Sequence, residues 1–369
     1  MEISPFKIER YFARYEFEVD YVLCGSDCES MAIEDLLAFE PDAADRFHRQ
    51  WLGYTESQGN PSLRGEICNI YRAIKPEQVL VHTGAEEAIF LFMHSMLKAG
   101  DHVIVHWPCY QSLVEVARSI GCEVTLWKAA EENGWALDPA QLYQHIKSNT
   151  KVIIINTPHN PTGYLMPADI FRGISRIAAE NGIILFSDEV YRESEYRVED
   201  RLPAACDLGE HTVSLGVMSK TYGLPGLRIG WVATQNQEVY KKMVVLKDYT
   251  TICNSAPSEF LAELALRHRP ALVDRTQKVI SENLNLLDQL FGRHAERFTW
   301  QRPGAGAIGF PKLHGEDVEA FCDSLVQTAG VLLLPGTVYD DPGNHFRIGF
   351  GRKNLPEAIG RLEDFLQRP

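Results

Sequence analysis

The chain has 369 residues, 45% hydrophobic and 23% charged, a globular balance that excludes a disordered protein and leaves room for two domains. Its 50 acidic residues against 36 basic ones give a formal charge of −14, which repels a phosphate backbone and argues against a nucleic-acid partner. No apolar run reaches the roughly 18 residues a membrane-spanning helix needs, and the eight cysteines make no CxxC pair or His-flanked cluster, so neither a membrane nor a bound metal is expected.

The N-terminal stretch MEISPFKIERYFARYEFEVD sets Glu2, Glu9, Glu16 and Glu18 among basic and aromatic residues, so it lacks the apolar core of a secretory signal. A soluble, cytoplasmic protein is expected. From residue 79 to 235, short apolar runs alternate with helical patterns. Strands are predicted at Val79 to His82, Val103 to Trp107, Val152 to Asn156, Ile183 to Ser187, Val213 to Val217 and Ile229 to Ala233. Helices are predicted at Glu86 to Leu97, Gln111 to Ile120 and Ala168 to Asn181. Runs such as KVIIIN and GIILFS are apolar almost throughout, as a sheet covered on both faces requires. The fold class is therefore α/β, a mostly parallel sheet sandwiched by helices. Beyond 235 come long helices, Ala271 to Phe291 among them, then short strands and helices that read as a smaller α+β domain. The expected division is a large domain over 46–265 and a small domain from 1–45 and 266–369.

Ligands of such sheets sit beyond the carboxyl ends of the strands. There the chain places Thr83-Gly84-Ala85, the turn from Pro158 to Gly163, Asp188-Glu189 and Ser219-Lys220. A lysine in that position is either a solvated surface charge or, once desolvated, an imine-forming nucleophile. Asp188 suits a helix N-cap or the partner of a cationic ring nitrogen. Gly84-Ala85-Glu86, opening a helix, offers backbone N–H groups to a phosphate, and Arg228 offers a cation. GAGAIG at 304–309 spells a dinucleotide fingerprint but follows Pro303 and runs into Phe310-Pro311 instead of opening a helix, so it is rejected. Ser219-Lys220-Thr221 lacks the glycine that a phosphate loop needs before its lysine.

HNPTG (159–163), SDEVY (187–191), SKTYGLPGLRIGW (219–231) and FRIGF (346–350), together with YTESQGNPSLR (54–64) and HTGAEEAI (82–89), resemble the signature segments of class I/II aminotransferases of fold type I, in that family's order. The resemblance implies pyridoxal 5'-phosphate as cofactor, linked as a Schiff base to Lys220, and transfer of the amino group of a small L-amino acid to a 2-keto acid. It implies that Asp188 pairs with the pyridine nitrogen, that Asn160 and Tyr191 hydrogen-bond the ring hydroxyl, and that Tyr110 stacks on the ring. Gly84, Ala85, Glu86 through its backbone, Ser219 and Arg228 would hold the phosphate. Tyr54 would reach the phosphate of a partner subunit, making a homodimer the expected unit. Arg347 would grip the substrate α-carboxylate, with Asn160 and Gly25 beside it.

Two positions depart from the family pattern. Val217 stands where Ser or Thr is common, with Ser219 placed to compensate, and His159 stands where Asn is commoner. Segments at 107–113, 247–257 and 332–343 are also similar to capreomycidine synthase, so elimination or replacement at the β-carbon, as in a C–S lyase, is the alternative reaction. A non-catalytic regulator that senses the cofactor is disfavoured by the retained lysine. Trp107, His106, Glu195 and the N-terminal loop stay open as contacts to the substrate side chain.

Overall fold

The computed structural model describes residues 2–367, so Met1 and positions 368 and 369, which close the expected small domain, lie outside the described residues. The central sheet has seven strands: β1 (Val79–His82), β2 (His102–Trp107), β3 (Glu123–Lys128), β4 (Thr150–Asn156), β5 (Ile184–Asp188), β6 (Thr212–Val217) and β7 (Gly230–Ala233). Their spatial order is β1-β7-β6-β5-β4-β2-β3. β4, β5 and β6 pair parallel with one another, as do β2 with β4 and β3 with β2, whereas β7 runs antiparallel to both β1 and β6.

The apolar runs are explained by cover on both faces. Successive side chains of a strand point to opposite faces, and β4 divides accordingly. Ile153 and Ile155 join a core with Phe171, Ile174 and Ile177 of the helix Ala168–Glu180, while Val152 and Ile154 join one with Ile89, Leu91 and Phe92 of the helix Gly84–Met96. All four β4 residues are fully buried, each contributing about 1.5–3 kcal/mol of apolar burial. The sequence reading missed β3, whose residues EVTLWK are half-exposed at the sheet edge except for the buried Trp127. Its pattern is too polar to stand out as a buried strand.

The C-terminal part forms short sheets instead of one large one. Phe346–Gly349 lies between Ile308–Gly309 and Leu334–Pro335, antiparallel to both. Tyr21–Val22 adds in parallel to Val331–Leu332, so the N-terminal segment is stitched to the C-terminal one. Leu23 and Cys28 accordingly share a core with Phe298, Phe321 and Phe346, whereas Leu36, Leu37 and Ala43 pack with Leu63, Ile67 and Leu261 beside the large sheet. The helix Lys7–Tyr15 spans both parts: Lys7 N donates to Gln111 Oε1 at 2.8 Å and the Tyr11 hydroxyl to the carbonyl of Leu333 at 3.0 Å.

Candidate active site

The carboxyl ends of β4, β5 and β6 open into a cavity of about 510 Å³, roofed by the helix Lys7–Tyr15 and the loop at 25–27. Asp188 ends β5 at the cavity wall, 4% exposed. One of its carboxylate oxygens accepts from Val190 N at 3.2 Å, and no cation lies within 4.0 Å among the described residues. Burial pushes its carboxyl up to about 7, with the bond from Val190 N and the charge of Lys220 opposing the shift. Behind it, Asn156 at the end of β4 donates to the Asp188 carbonyl at 3.0 Å and accepts from Asn160 N at 2.6 Å. One amide thereby fixes the HNPTG turn to the strand that carries the carboxylate.

Lys220 lies just past the end of β6, its amine donating to Ser26 Oγ at 2.9 Å. Burial lowers its pKa and the nearby Arg347 lowers it further, while Asp27 and Asp188 oppose the shift. These are conditions under which a lysine amine loses its proton and becomes a nucleophile or base. Val217 and Ser219 both line the cavity beside it. Opposite, Gly84 begins a 13-residue helix at φ +82°, and a Cβ there would stand 2.6 Å from Nη2 of Arg228. Only glycine lets that guanidinium lie across the helix start. Arg228 itself adopts φ 52°, a left-handed conformation costing a non-glycine residue about 1–2 kcal/mol, and makes no ion pair within 4.0 Å among the described residues. Ala85 and Glu86 face the same space. The Glu86 side chain is turned aside to Ser112, which leaves its backbone N–H at the helix N-terminus. A free cation and a helix N-terminus together make an anion site.

Arg347, 2% exposed, is the second unpaired charge. Its Nε and Nη2 donate to the Cys24 carbonyl at 3.1 and 2.8 Å, and its Nη1 to the Tyr339 hydroxyl at 2.6 Å. The contact of Nη1 to Asn160 Oδ1 is long, at 3.4 Å. A guanidinium has five N–H donors, so one on Nη2 is unused and one on Nη1 is held only by the long contact to Asn160, the pair that a carboxylate accepts in a fork. Gly25 lines the cavity next to Cys24, held against the FRIGF strand so closely that a Cβ on Gly349 would lie 1.9 Å from the Gly25 carbonyl oxygen.

Tyr110 and Tyr191 complete the walls; Tyr191 donates to the Ser26 carbonyl at 3.2 Å, and the Tyr110 ring lies 5.0 Å from that of Phe6. Tyr54 does not line this cavity and is 88% exposed on the surface. His159 is buried, bonding Thr162 Oγ1 and the Pro108 carbonyl at 2.7 Å each and stacking on His106 at 3.8 Å, where burial pushes it down to about 3. It therefore braces the turn as a neutral ring. Sequence reasoning did not single out Asn156, Tyr339, Ser26, Asp27, Arg352, or Glu9, Phe12 and Glu16 of the N-terminal segment. For Ile8, Phe12 and Glu16, the spacing of four was the available signal of a shared helix face.

The aminotransferase class I and II family model matches residues 23–362. The chain belongs to that family. A PLP-dependent aminotransferase structure from Streptococcus suis superposes with a TM-score of 0.94 at 34% identity, covering 100% of this chain and 99% of that one. Aspartate aminotransferase of Pyrococcus horikoshii is 30% identical over 330 residues, 86% of this chain and 84% of the relative. Capreomycidine synthase of Streptomyces vinaceus is 27% identical over 367 residues, 97% of this chain and 93% of the relative. The family membership makes this chain a pyridoxal 5'-phosphate-dependent aminotransferase of fold type I, acting on amino and keto acids. Its residues fit that cofactor on three counts: an isolated buried carboxylate for a ring N–H, a free arginine over a helix N-terminus for a phosphate, and a desolvated lysine for the aldehyde.

Proposed function

We propose that Lys220 and Asp188 are the catalytic residues of this transaminase, working in a homodimer in the cytoplasm and moving the amino group of an L-amino acid to a 2-keto acid. The observation that carries the reading is the pairing, within one cavity, of a depressed lysine amine with a carboxylate that has no cation of its own. Pyridoxal phosphate bound there supplies an electron sink for negative charge at the substrate α-carbon. Asp188 holds a proton on the ring nitrogen through its carboxylate, an interaction strengthened by its burial. Lys220 takes the proton from the substrate α-carbon, and Ser26 Oγ orients its amine. Arg347 fixes the α-carboxylate, with Tyr339 and the Cys24 carbonyl pinning the guanidinium so that little reorientation is needed on binding. Gly84, Ala85, Glu86 N–H, Ser219 and Arg228 receive the phosphate, Asn160 and Tyr191 the ring hydroxyl, and Tyr110 the ring face. Gly25 and Asn160 border the substrate carboxylate, and Tyr54 is assigned to the partner's phosphate site.

The deciding experiment mixes the holoenzyme with an amino acid and follows the cofactor's absorption, then adds a keto acid. Reversible bleaching and recovery, with a new amino acid formed in equal amount, is the expected result. Release of ammonia without dependence on the keto acid would refute transamination and favour β-elimination.

A further inference from the structure

We infer that the preferred amino substrate carries a cationic side chain, guanidinium or ammonium, received by Glu16 and Asp27. The inference rests on the transaminase reading of the same cavity and follows from the excess of carboxylates over cations on its wall. Lys220 and Arg228 are taken up by the cofactor and Arg347 by the α-carboxylate, while Asp188 answers the ring nitrogen. Glu86 is turned to Ser112. What remains on the lining is Glu9, Glu16, Asp27 and a single cation, Arg352.

That cation is already matched. Arg352 Nη2 lies 3.0 and 3.1 Å from the two oxygens of Asp27. Glu16 and Glu9 form no ion pair within 4.0 Å among the described residues. Glu16 sits at the C-terminal cap of the helix Lys7–Tyr15, where the helix dipole disfavours a carboxylate. Burial, Asp27 and Glu9 raise its pKa, and only Arg352 opposes them. Its position is thus unfavourable for the free protein and becomes favourable when a positive group enters.

An anionic side chain would have to separate Asp27 from Arg352 in the presence of two further carboxylates. A neutral one would leave Glu16 partly desolvated and unpaired. A cation pairs with Glu16 and adds a second partner to Asp27, whose carboxylate Arg352 already holds, and Phe12 between Ile8 and Glu16 on the same helix face offers its ring to the aliphatic stem.

The test compares holoenzyme kcat/KM for arginine, lysine and ornithine with that for norleucine, an uncharged chain of similar length, and for aspartate and glutamate. The expected result is that at least one cationic substrate exceeds norleucine by about tenfold or more, and that both dicarboxylates fall below it. Glu16→Gln should lower the ratio of cationic substrate to norleucine by about tenfold, and Asp27→Asn should lower it too while raising the dicarboxylates as Arg352 is released. Norleucine or a dicarboxylate equalling all three cations would overturn the inference and leave the transaminase reading intact. A ratio within twofold of wild type in both variants would overturn it as well. If no amino acid of any charge alters the cofactor's absorption, the underlying reading falls and the inference with it.

Discussion

Removal of the Arg347 guanidinium is the sharpest test of the substrate grip. Three short bonds position it, two to the Cys24 carbonyl and one to the Tyr339 hydroxyl, and a ligand can take the unused N–H of Nη2 and the one on Nη1 that makes only a long contact to Asn160. A hydrogen bond to a charged group contributes about 1.5–3 kcal/mol, so losing both from Arg347→Ala costs about 3–6 kcal/mol, a factor of about 10² to 10⁴ in kcat/KM. Because the α-carboxylate is gripped in ground state and transition state alike, most of the loss should appear in KM. The assay is a single-turnover titration of the holoenzyme followed at the cofactor's absorption, run with an amino acid and with the corresponding amine that lacks the carboxylate. Wild type should discriminate strongly between them, and Arg347→Ala should not. A melting curve guards against a trivial loss of fold, since the Cys24 carbonyl loses its donors. If the variant retains its KM within twofold, or wild type accepts the bare amine equally well, Arg347 does not hold the carboxylate.

Lys220→Ala should abolish turnover, and borohydride reduction followed by mass spectrometry should find no cofactor on the 220 peptide; an adduct at another lysine would displace the assignment. The Asp188 carboxyl is raised to about 7 in the folded chain against about 4 when unfolded. The folded apoprotein thus binds the extra proton between those values, and its stability falls as pH rises from about 4 to about 7. Asp188→Asn should therefore gain melting temperature over wild-type apoprotein across that window and hold the gain above it, while the holoenzyme loses several orders of magnitude in rate; equal melting at all pH values would contradict the buried, unpaired carboxylate. For Tyr54, 88% exposed on its own chain, the check is complementation. Lys220→Ala chains mixed with Tyr54→Ala chains should regain activity, because one site of the mixed dimer has both groups intact, and failure to regain any would place Tyr54 in service of its own subunit.

The large sheet was readable because its signal is local. A strand covered on both faces must be apolar where it is covered, as β4 is over 152–155, whereas the edge strand β3 has no such constraint and passed unnoticed. The strand-end residues were readable for the same reason: Asp188 and Lys220 stand immediately after apolar runs, and the glycine before Ala85 opens a helix. The short C-terminal strands were bounded less well. They are two to four residues long, Phe298–Thr299 among them, too short to show a periodic pattern.

The order of residues along the chain by itself settled the class of fold, and it put a lysine and a carboxylate near strand ends, where a ligand of such a sheet is expected. Only the folded chain decided what surrounds them. Lys220 meets Ser26 across 194 positions and Arg347 meets Cys24 across 323, and such contacts leave no periodic trace because they arise from packing one finished element on another. The same packing brings Asp27 to the cavity wall against Arg352 and leaves Glu16 there with no cation within 4.0 Å among the described residues. The charge left unmatched in the site is thus a property of the tertiary structure, set by which carboxylates find a cation within reach and which do not.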